Sequence, residues 1–347
     1  MSKIGIQDSN VKALVKKCAI ELGFDVVGIT TSDSLHGPAK IAIERLNRGL
    51  MDGLTWYTEA RVIRGSTPGN LLEGARSIIA LGMSYLAEDS AEVTQGNIGG
   101  KVARYAWGKD YHKVIKQRMR ELVELLEERL EHTVKARFYV DDGPMLDRSV
   151  AERAGIGWFG KNTNILTTSH GSWLFLGQII TDLVLEPDKH LKKSCGECTI
   201  CIPACPTGAI VAPYVLDNSK CISYLTIENR GPIPIEMRKH MLDWVFGCDI
   251  CQEVCPVNRK VNYSREPNFK RGGFKTVDLI GLLYMTEDEF RDKFKGSALK
   301  RAKRIGLQRN ACVALGNIKD LESVPALIKT LAHSDSLVRG HAAWALG

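Results

Sequence analysis

The sequence predicts an α+β protein in three parts, and three observations support this fold class. Helical and strand patterns interleave through about residue 185, as they do in α/β and α+β domains. Eight of the ten cysteines then fall between Cys195 and Cys255. Near the C terminus a ten-residue pattern recurs 31 positions later. A chain of 347 residues suits two or three domains, and we place them at 1–185, 186–260 and 261–347.

The N-terminal part alternates between helical spacing of apolar residues and short β-rich runs. Asp8 and Ser9 are suitable caps for the first helix. The predicted elements are, in order, a helix ending at Gly23, a strand at 24–29, a helix at 39–49, a strand at 77–85, a helix from about 112 to 131, a strand at 136–140 and a helix from Pro144 to about Gly155. Residues 163–185 alternate and are rich in β-branched side chains, which predicts a hairpin or strand pair.

Two cysteine runs, each ending in Cys-Pro, dominate the middle part. Residues 195–206 follow C-x-x-C-x-x-C-x-x-x-C-P, and the second run adds a lone Cys221 before 248–256. This is the spacing of two-cluster ferredoxins, in which the fourth cysteine of each run ligates the other cube. We therefore predict a ferredoxin-like domain with two 4Fe-4S clusters. One cube is assigned Cys195, Cys198, Cys201 and Cys255, and the other Cys205, Cys221, Cys248 and Cys251.

Zinc and disulfides are the other uses of paired cysteines. Two C-x-x-C pairs could hold a tetrahedral zinc ion, but zinc has no use for the C-x-x-x-C-P endings. Disulfides are disfavoured because no signal peptide begins the chain and no apolar run is long enough to span a membrane. Cys18 and Cys312 lie on apolar helix faces, where we expect small core residues.

The positive charge of the chain is concentrated in its C-terminal third. Residues 256–347 contain 17 Lys and Arg and 9 Asp and Glu, a net charge of +8. Because the whole chain carries +7, residues 1–255 carry −1. Lys293 to Arg304 contains six cations and no acid. Such a segment fits a polyanion such as RNA, and a solvated charge run is the plainer alternative.

The C-terminal part resembles HEAT-type helical repeats. Leu307–Gly316 recurs as Val338–Gly347, with an apolar stretch at 325–331 between them. Two repeats are too few to bury a core of their own. We therefore expect them to pack against the cluster domain or to continue in a longer chain.

Asp141 is the candidate acid in the N-terminal part. It follows a predicted strand and precedes a predicted helix, and ligands of α/β folds usually bind at strand ends. A buried carboxylic acid can donate a proton. The alternative is that Asp141 or Asp142 caps the following helix.

Three segments, taken with the cysteine runs and the repeats, resemble epoxyqueuosine reductases. They are Arg104–His112 (RYAWGKDYH), Tyr139–Pro144 (YVDDGP) and Ala151–Asn162 (AERAGIGWFGKN). That family is related to cobalamin-dependent reductive dehalogenases. The resemblance implies reduction of epoxyqueuosine to queuosine at the tRNA wobble position, with the clusters reducing base-off cobalamin to cob(I)alamin and Asp141 as proton donor.

The same resemblance implies contacts to the two large ligands. Corrinoid contacts are expected at Arg64, Ala103, Asp141, Asn162, Ile165 and Leu176. The tRNA anticodon region is expected along Ile222, Ser223, Asn229, Arg230, Lys300, Arg301, Lys303 and Arg304.

Two other functions remain open from the sequence. An electron-carrier module would use the clusters but neither the N-terminal part nor the basic segment. A reductive dehalogenase would keep corrinoid and clusters, but these enzymes usually carry an export signal. The reductase interpretation implies a cytoplasmic monomer with no membrane contact and an external low-potential electron donor.

Overall fold

The N-terminal part is built on a four-stranded antiparallel sheet with the strand order β1-β2-β7-β4. The computed structural model describes residues 8–88, 98–270 and 273–347. The strands of this part are β1 (Val26–Thr31), β2 (Ser77–Ser84), β3 (Gly99–Val102), β4 (Ala136–Tyr139), β5 (Trp158–Phe159), β6 (Ile165–Leu166) and β7 (Leu174–Thr181). The helices are α1 (Asp8–Glu21), α2 (His36–Asn47), α3 (Glu59–Gly65), α4 (Tyr111–Leu130) and α5 (Asp147–Arg153).

Helices cover both faces of this sheet, and β2 shows why its sequence is apolar throughout. Ile79 and Leu81 pack with α1 and α4, whereas Ile78 and Ala80 pack with α5. Both faces of the strand are therefore buried, and a continuous apolar run replaces the alternation of a half-exposed strand. The sequence predictions for the helices and strands up to β4 are confirmed to within about three residues at their ends. The side chains of the predicted Asp8–Ser9 cap lie outside the described residues.

One helix begins later than predicted, and one element prediction is wrong. The helix predicted from Pro144 begins at Asp147, because residues 141–144 form a loop in which the Gly143 carbonyl accepts a hydrogen bond from Arg61. The hairpin predicted within 163–185 does not form. β6 pairs with β5, and β7 lies at the sheet centre between β2 and β4. β7 thus pairs with strands that are distant in the sequence, whereas β6 pairs with the strand just before it.

The middle part consists of short elements connected by loops. They are α6 (Cys201–Ala204), β8 (Ile210–Ala212), β9 (Val215–Leu216), α7 (Ile222–Ile227), α8 (Ile235–Arg238), β10 (Trp244–Phe246) and α9 (Ile250–Glu253). A small sheet in the order β10-β3-β11 takes one strand from each predicted domain. The three parts are thus joined by backbone hydrogen bonds as well as by side-chain packing.

The C-terminal part is helical apart from β11 (Thr276–Asp278). Its helices are α10 (Pro267–Lys270), α11 (Leu279–Tyr284), α12 (Glu287–Lys293), α13 (Lys303–Ile318), α14 (Val324–Thr330) and α15 (Ser336–Leu346). α13 and α15 contain the two predicted repeats and pack against each other, and α13 also contacts β10 and α7 of the middle part. The expected packing against the cluster domain is confirmed. Across the described ranges, no helix is both long and apolar enough to cross a membrane.

Candidate active site

A cavity of about 830 Å³ lies on the α5 side of the sheet, at the large end of the range for small-molecule sites. Its lining includes Asp141, Ile165 and Leu176, three of the predicted site residues. Residues from α2 and α5 form other walls, and Tyr214, Leu216 and Asn218 of the middle part complete them. The cavity therefore joins the N-terminal and cluster parts.

Asp141 lies in the loop after β4 with a φ of 57°, in the left-handed region that Asp tolerates better than most residues. The Tyr111 hydroxyl donates a hydrogen bond to its Oδ2 at 2.9 Å. Burial and the Asp141 charge hold the pKa of Tyr111 well above its usual value. The tyrosine therefore keeps its proton and orients the carboxyl group of Asp141.

Asp142 takes the local structural role instead. Its carboxylate accepts a hydrogen bond from the Val140 backbone N–H at 3.1 Å and pairs with Lys116. Asp141 makes no such backbone bond among the described residues, and it lines the cavity. Neither acid caps α5, whose N-cap is Leu146 without a side-chain hydrogen bond. Asp142 holds the local backbone contact, and Asp141 is left available to a ligand.

Asp147 is a second acid of the cavity, at the first turn of α5. Its Oδ1 is buried and has no hydrogen-bond partner among the described residues. Burial, followed by the Asp141 charge, raises the pKa of Asp147 to about 7. The buried Gln178 amide lies close enough to oppose this rise, although neither of its polar atoms meets hydrogen-bond geometry. The cavity wall thus carries polar atoms that a ligand could pair.

We expect the Asp147→Asn variant of the ligand-free protein to unfold at a higher temperature than the wild type above about pH 7. In the folded chain the pKa of Asp147 is about 7, whereas its ordinary pKa is 3.8. Between these two pH values the unfolded chain ionises Asp147 and the folded chain does not. The free energy of unfolding of the wild type therefore falls by up to about 1.4 kcal/mol per pH unit as the pH rises between them. Asn carries no such cost.

Thermal unfolding of both proteins between about pH 4 and pH 8 measures this effect. The advantage of the variant should become small at the acid end, where folded Asp147 is protonated and unfolded Asp147 is only partly ionised. Asp292→Asn, at an exposed carboxylate, is the matched control. A pH-independent difference would show that Asp147 is not held neutral by burial.

Two arginines add positive charge to the cavity. Arg45 donates to the Tyr214 carbonyl at 2.5 Å, and burial together with the nearby Arg148 lowers the pKa of Arg45. Arg148 donates to the Thr163 carbonyl at 3.2 Å. Both side chains line the cavity. A phosphate-bearing ligand would find its counter-charge here.

The other predicted corrinoid contacts lie around the cavity without lining it. The buried Asn162 donates to the Cys251 carbonyl at 3.1 Å. Ala103 is buried, and its N–H donates to the Phe246 carbonyl at 2.8 Å. Arg64 is exposed on the last turn of α3. The predicted roles of these three residues stay predictions.

The electrostatic neighbours of Cys201 and Cys251 agree with the two crossed groups that the ferredoxin spacing predicts, although Cys251 also lies within reach of Cys201. The charges of Cys195, Cys198 and Cys255 all raise the pKa of Cys201, although Cys255 belongs to the second run. Cys205 and Cys221, in turn, raise the pKa of Cys251. No three His, Cys, Asp or Glu side chains of the described part gather closely enough to hold one metal ion. This looser grouping suits a cube, which offers a separate iron to each thiolate.

The second group lies directly behind one wall of the cavity. Tyr85 and Ser172 line the cavity, and both hydroxyls donate to Gln252 Oε1, at 3.2 and 2.9 Å. Gln252 follows Cys251, whose charge helps to raise the pKa of Tyr85 after burial. A cluster on these cysteines would therefore be separated from the cavity by a single layer of side chains.

The two predicted RNA-contacting segments meet on one surface. Arg301 forms a bidentate ion pair with Glu228, at 2.7 and 2.9 Å, and Arg230 donates to the Arg301 and Ala302 carbonyls. The fully buried Arg309 fixes the Asn229–Gly231 turn by donating to the carbonyls of both end residues.

This surface lies within electrostatic reach of Asp141. The pKa of Arg301 is raised, chiefly by its hydrogen bond to Glu228, while burial opposes the rise. The negative charge of Asp141 also contributes to the rise. Ser223 is half-buried and Arg230 exposed, whereas the Ile222 side chain is buried. Lys300 and Lys303 are exposed.

Comparison with known proteins agrees with this geometry. Residues 66–142 match the family model "Epoxyqueuosine reductase QueG, DUF1730". Residues 194–258 match a 4Fe-4S double cluster binding domain, and residues 296–347 match HEAT repeats. The epoxyqueuosine reductase of Shigella dysenteriae is 38% identical over 96% of this chain and 88% of the relative. This chain belongs to the epoxyqueuosine reductase family.

Two solved epoxyqueuosine reductases share the fold. One, in complex with an epoxyqueuosine-modified tRNA-Tyr stem loop, has a TM-score of 0.90 and 34% identity over 98% of this chain and 90% of that chain. The Bacillus subtilis enzyme, with its catalytic aspartate loop swung out of the active site, has a TM-score of 0.88 at the same identity and coverage. The predicted fold class, family and 4Fe-4S clusters are confirmed.

Sequence reasoning missed three polar residues of this reductase site. Tyr111, Asp147 and Gln178 lie on α4, α5 and β7; tertiary packing brings Tyr111 and Asp147 to the cavity and the buried Gln178 next to Asp147. Asp147 was interpretable only as part of a solvated helical face. For Gln178, the single available signal was a polar residue within an apolar strand.

Proposed function

We propose that this chain reduces epoxyqueuosine to queuosine at the wobble position of tRNA, with two 4Fe-4S clusters, base-off cobalamin and Asp141 as proton donor. The observation that carries the proposal is the position of Asp141. It lines a cavity that is backed by the Cys251 segment, and its charge reaches the basic surface at Arg301. Family membership supports the reaction, and the stem-loop complex of a relative supports tRNA as the substrate.

The cavity residues fit a corrinoid. Its peripheral amides could pair the unpaired Oδ1 of Asp147, and the cations Arg45 and Arg148 would hold its phosphodiester. Ile165 and Leu176 supply apolar wall. When bound, this cofactor supplies the reducing chemistry at the epoxide carbon.

The overall reaction consumes two electrons and two protons, converts the epoxide to an alkene and releases water. Asp141 delivers a proton to the epoxide oxygen as its C–O bond breaks. Tyr111 holds the carboxyl group in place through its hydrogen bond to Oδ2. The wall of Tyr85 and Ser172 excludes water between the cavity and Cys251.

The two cysteine groups hold one cube each in this proposal. Cys195, Cys198, Cys201 and Cys255 form the first, and Cys205, Cys221, Cys248 and Cys251 form the second, nearer the cavity. Potentials of such clusters reach down to about −700 mV, which suits a strongly reducing task.

The tRNA lies across the joined surface of residues 222–230 and 300–304. Cations there hold the phosphates, while the wobble base leaves the loop stack and enters the cavity beside Asp141. Because the charge of Asp141 reaches Arg301, we expect one RNA loop to engage both residues.

The direct test uses anaerobically purified protein, supplied with cobalamin, a strong reductant and an anticodon stem loop carrying epoxyqueuosine. We expect queuosine in the digested RNA by mass spectrometry, only with both iron and cobalt present. Protein that retains both metals and binds the stem loop but forms no queuosine would contradict the proposal.

We expect the double variant Lys300→Ala, Lys303→Ala to bind tRNA more weakly whatever the RNA sequence, and its binding to depend less on salt. Each lost phosphate contact lowers the slope of log K against log salt by about 0.7 to 0.9. These two lysines are exposed, whereas Arg301 and Arg304 also pair with Glu228 and Glu287, so replacing the arginines would disturb the fold as well.

Binding isotherms at several salt concentrations measure this change. Lys17→Ala on α1, an exposed lysine of the N-terminal part, is the matched control. An unchanged salt slope in the double variant would place the RNA on another surface.

A further inference from the structure

The two cysteine groups differ in their access to solvent. Cys198 is exposed, and the other seven predicted cluster ligands are half-buried. Dense packing around Cys248 and Cys251 desolvates both thiols strongly enough to raise their pKa far above the usual value. The second group lies behind the cavity wall, so the first group is the one that faces outward.

The loop that carries Cys198 is held in place and has an apolar centre. The Gly196 carbonyl accepts a hydrogen bond from Lys161 Nζ at 2.7 Å. Ile200, two residues after Cys198, is 45% exposed, and Pro203 is exposed beside it. Exposed apolar side chains next to a redox group are suited to a transient protein contact.

Cations flank this apolar centre in the sequence. The segments 189–206 and 256–264, which lead into and out of the first group, contain five Lys and Arg against one Glu. All five cations are exposed, namely Lys189, Lys192, Lys193, Arg259 and Lys260. Lys193 lies over the Trp158 ring at 5.5 Å.

The preceding acid, Asp188, is already neutralised. It accepts ion pairs from Lys12 at 2.9 Å and from Lys16 at 2.7 Å. The potential near Cys198 is therefore positive, and it attracts an acidic partner.

We propose that the surface formed by Lys189, Lys192, Cys198, Ile200, Arg259 and Lys260 is the docking site of a small acidic protein that carries single electrons. We name it the entry surface. The inference rests on the proposed function. Each docking event oxidises the carrier by one electron and reduces the first cluster by one, so two events supply the electrons for one epoxide.

RNA is the other polyanion that could bind cations here. The apolar centre and the exposed cysteine favour a protein carrier, because a phosphate backbone gains nothing from Ile200 or from proximity to a redox group. The RNA surface at Arg301 also lies within electrostatic reach of Asp141, whereas the entry surface belongs to the outward-facing cysteine group.

The test compares two reductants of the holoenzyme, a reduced bacterial flavodoxin and dithionite with methyl viologen. In the variant Lys189→Glu with Lys192→Glu, we expect flavodoxin-driven turnover at low salt to need at least about tenfold more flavodoxin. Its rate should also lose its dependence on ionic strength. Dithionite-driven turnover should match the wild type, because a small reductant needs no docking surface.

Control variants separate the possible outcomes. Lys17→Glu, at an exposed lysine on α1, should leave both reductants unaffected. Arg259→Glu with Lys260→Glu should repeat the flavodoxin defect at full iron content. Unchanged flavodoxin dependence in both double variants, or a loss of tRNA binding instead, would overturn the entry surface. Absence of turnover with dithionite in the wild type would instead contradict the proposed function.

Discussion

Asp141→Asn is expected to reduce queuosine formation by a factor of about 10² to 10⁴, the usual contribution of a general acid. The amide keeps the shape of the side chain and can still accept the Tyr111 hydrogen bond, but it has no proton to give to the epoxide oxygen. Bound corrinoid and the Kd for the stem loop should remain within a few-fold of the wild type. Single-turnover RNA digestion measures the loss.

Two neighbouring variants make this prediction specific. Asp142→Asn is the matched control, since its carboxylate is committed to Val140 and Lys116, and it should keep most of the activity. Tyr111→Phe removes the hydroxyl that orients Asp141, so we expect a smaller loss than in Asp141→Asn. Equal activity of Asp141→Asn and the wild type would remove Asp141 as the acid.

Replacing Cys251 by Ala is expected to abolish turnover and to lower the iron content from about eight to about four per chain. In the structure this cysteine belongs to the group behind the cavity wall. Loss of that cube would break the path into the cavity while the outward-facing cube remains. Iron analysis and low-temperature EPR of the reduced protein measure both effects.

The crossed arrangement allows a sharper version of this experiment. Cys195→Ala and Cys255→Ala should leave the same residual EPR spectrum, because their thiols share a group despite lying 60 residues apart in sequence. Cys251→Ala should instead leave the EPR spectrum of the first cube, the one that Cys195→Ala and Cys255→Ala lose. Cys18→Ala and Cys312→Ala, at buried cysteines outside both runs, should retain all iron. Different spectra for Cys195→Ala and Cys255→Ala would contradict the ligand sets.

The features that were predicted from the sequence depend on local pattern. The strand at Ser77–Ser84 is a continuous apolar run and the helix at Tyr111–Leu130 has helical periodicity, and both predictions are confirmed. The cysteine runs carry their cluster type in their spacing, which the double-cluster domain match confirms. The repeats at α13 and α15 were visible as self-similarity.

The wrong predictions and the missed residues depend on distant contacts. Residues 163–185 looked like a hairpin, but β7 gains two long partners at the sheet centre and β6 gains β5. Nothing local distinguishes Asp147 from a solvated acid, since its burial comes from the packing of α5 under the cavity. The buried Arg309 likewise became interpretable only when the 229–231 turn was seen against it.

The sequence by itself determined the family, the fold class and the cluster chemistry, because spacing and periodicity are properties of neighbouring residues. The tertiary structure alone decided that Asp141 faces a cavity while Asp142 bonds to the Val140 backbone, and that the Arg301 surface lies within electrostatic reach of Asp141. Each of these requires residues dozens to hundreds of positions apart to meet. Local sequence patterns do not specify such long-range contacts, because these contacts form only when the whole chain packs around shared cores.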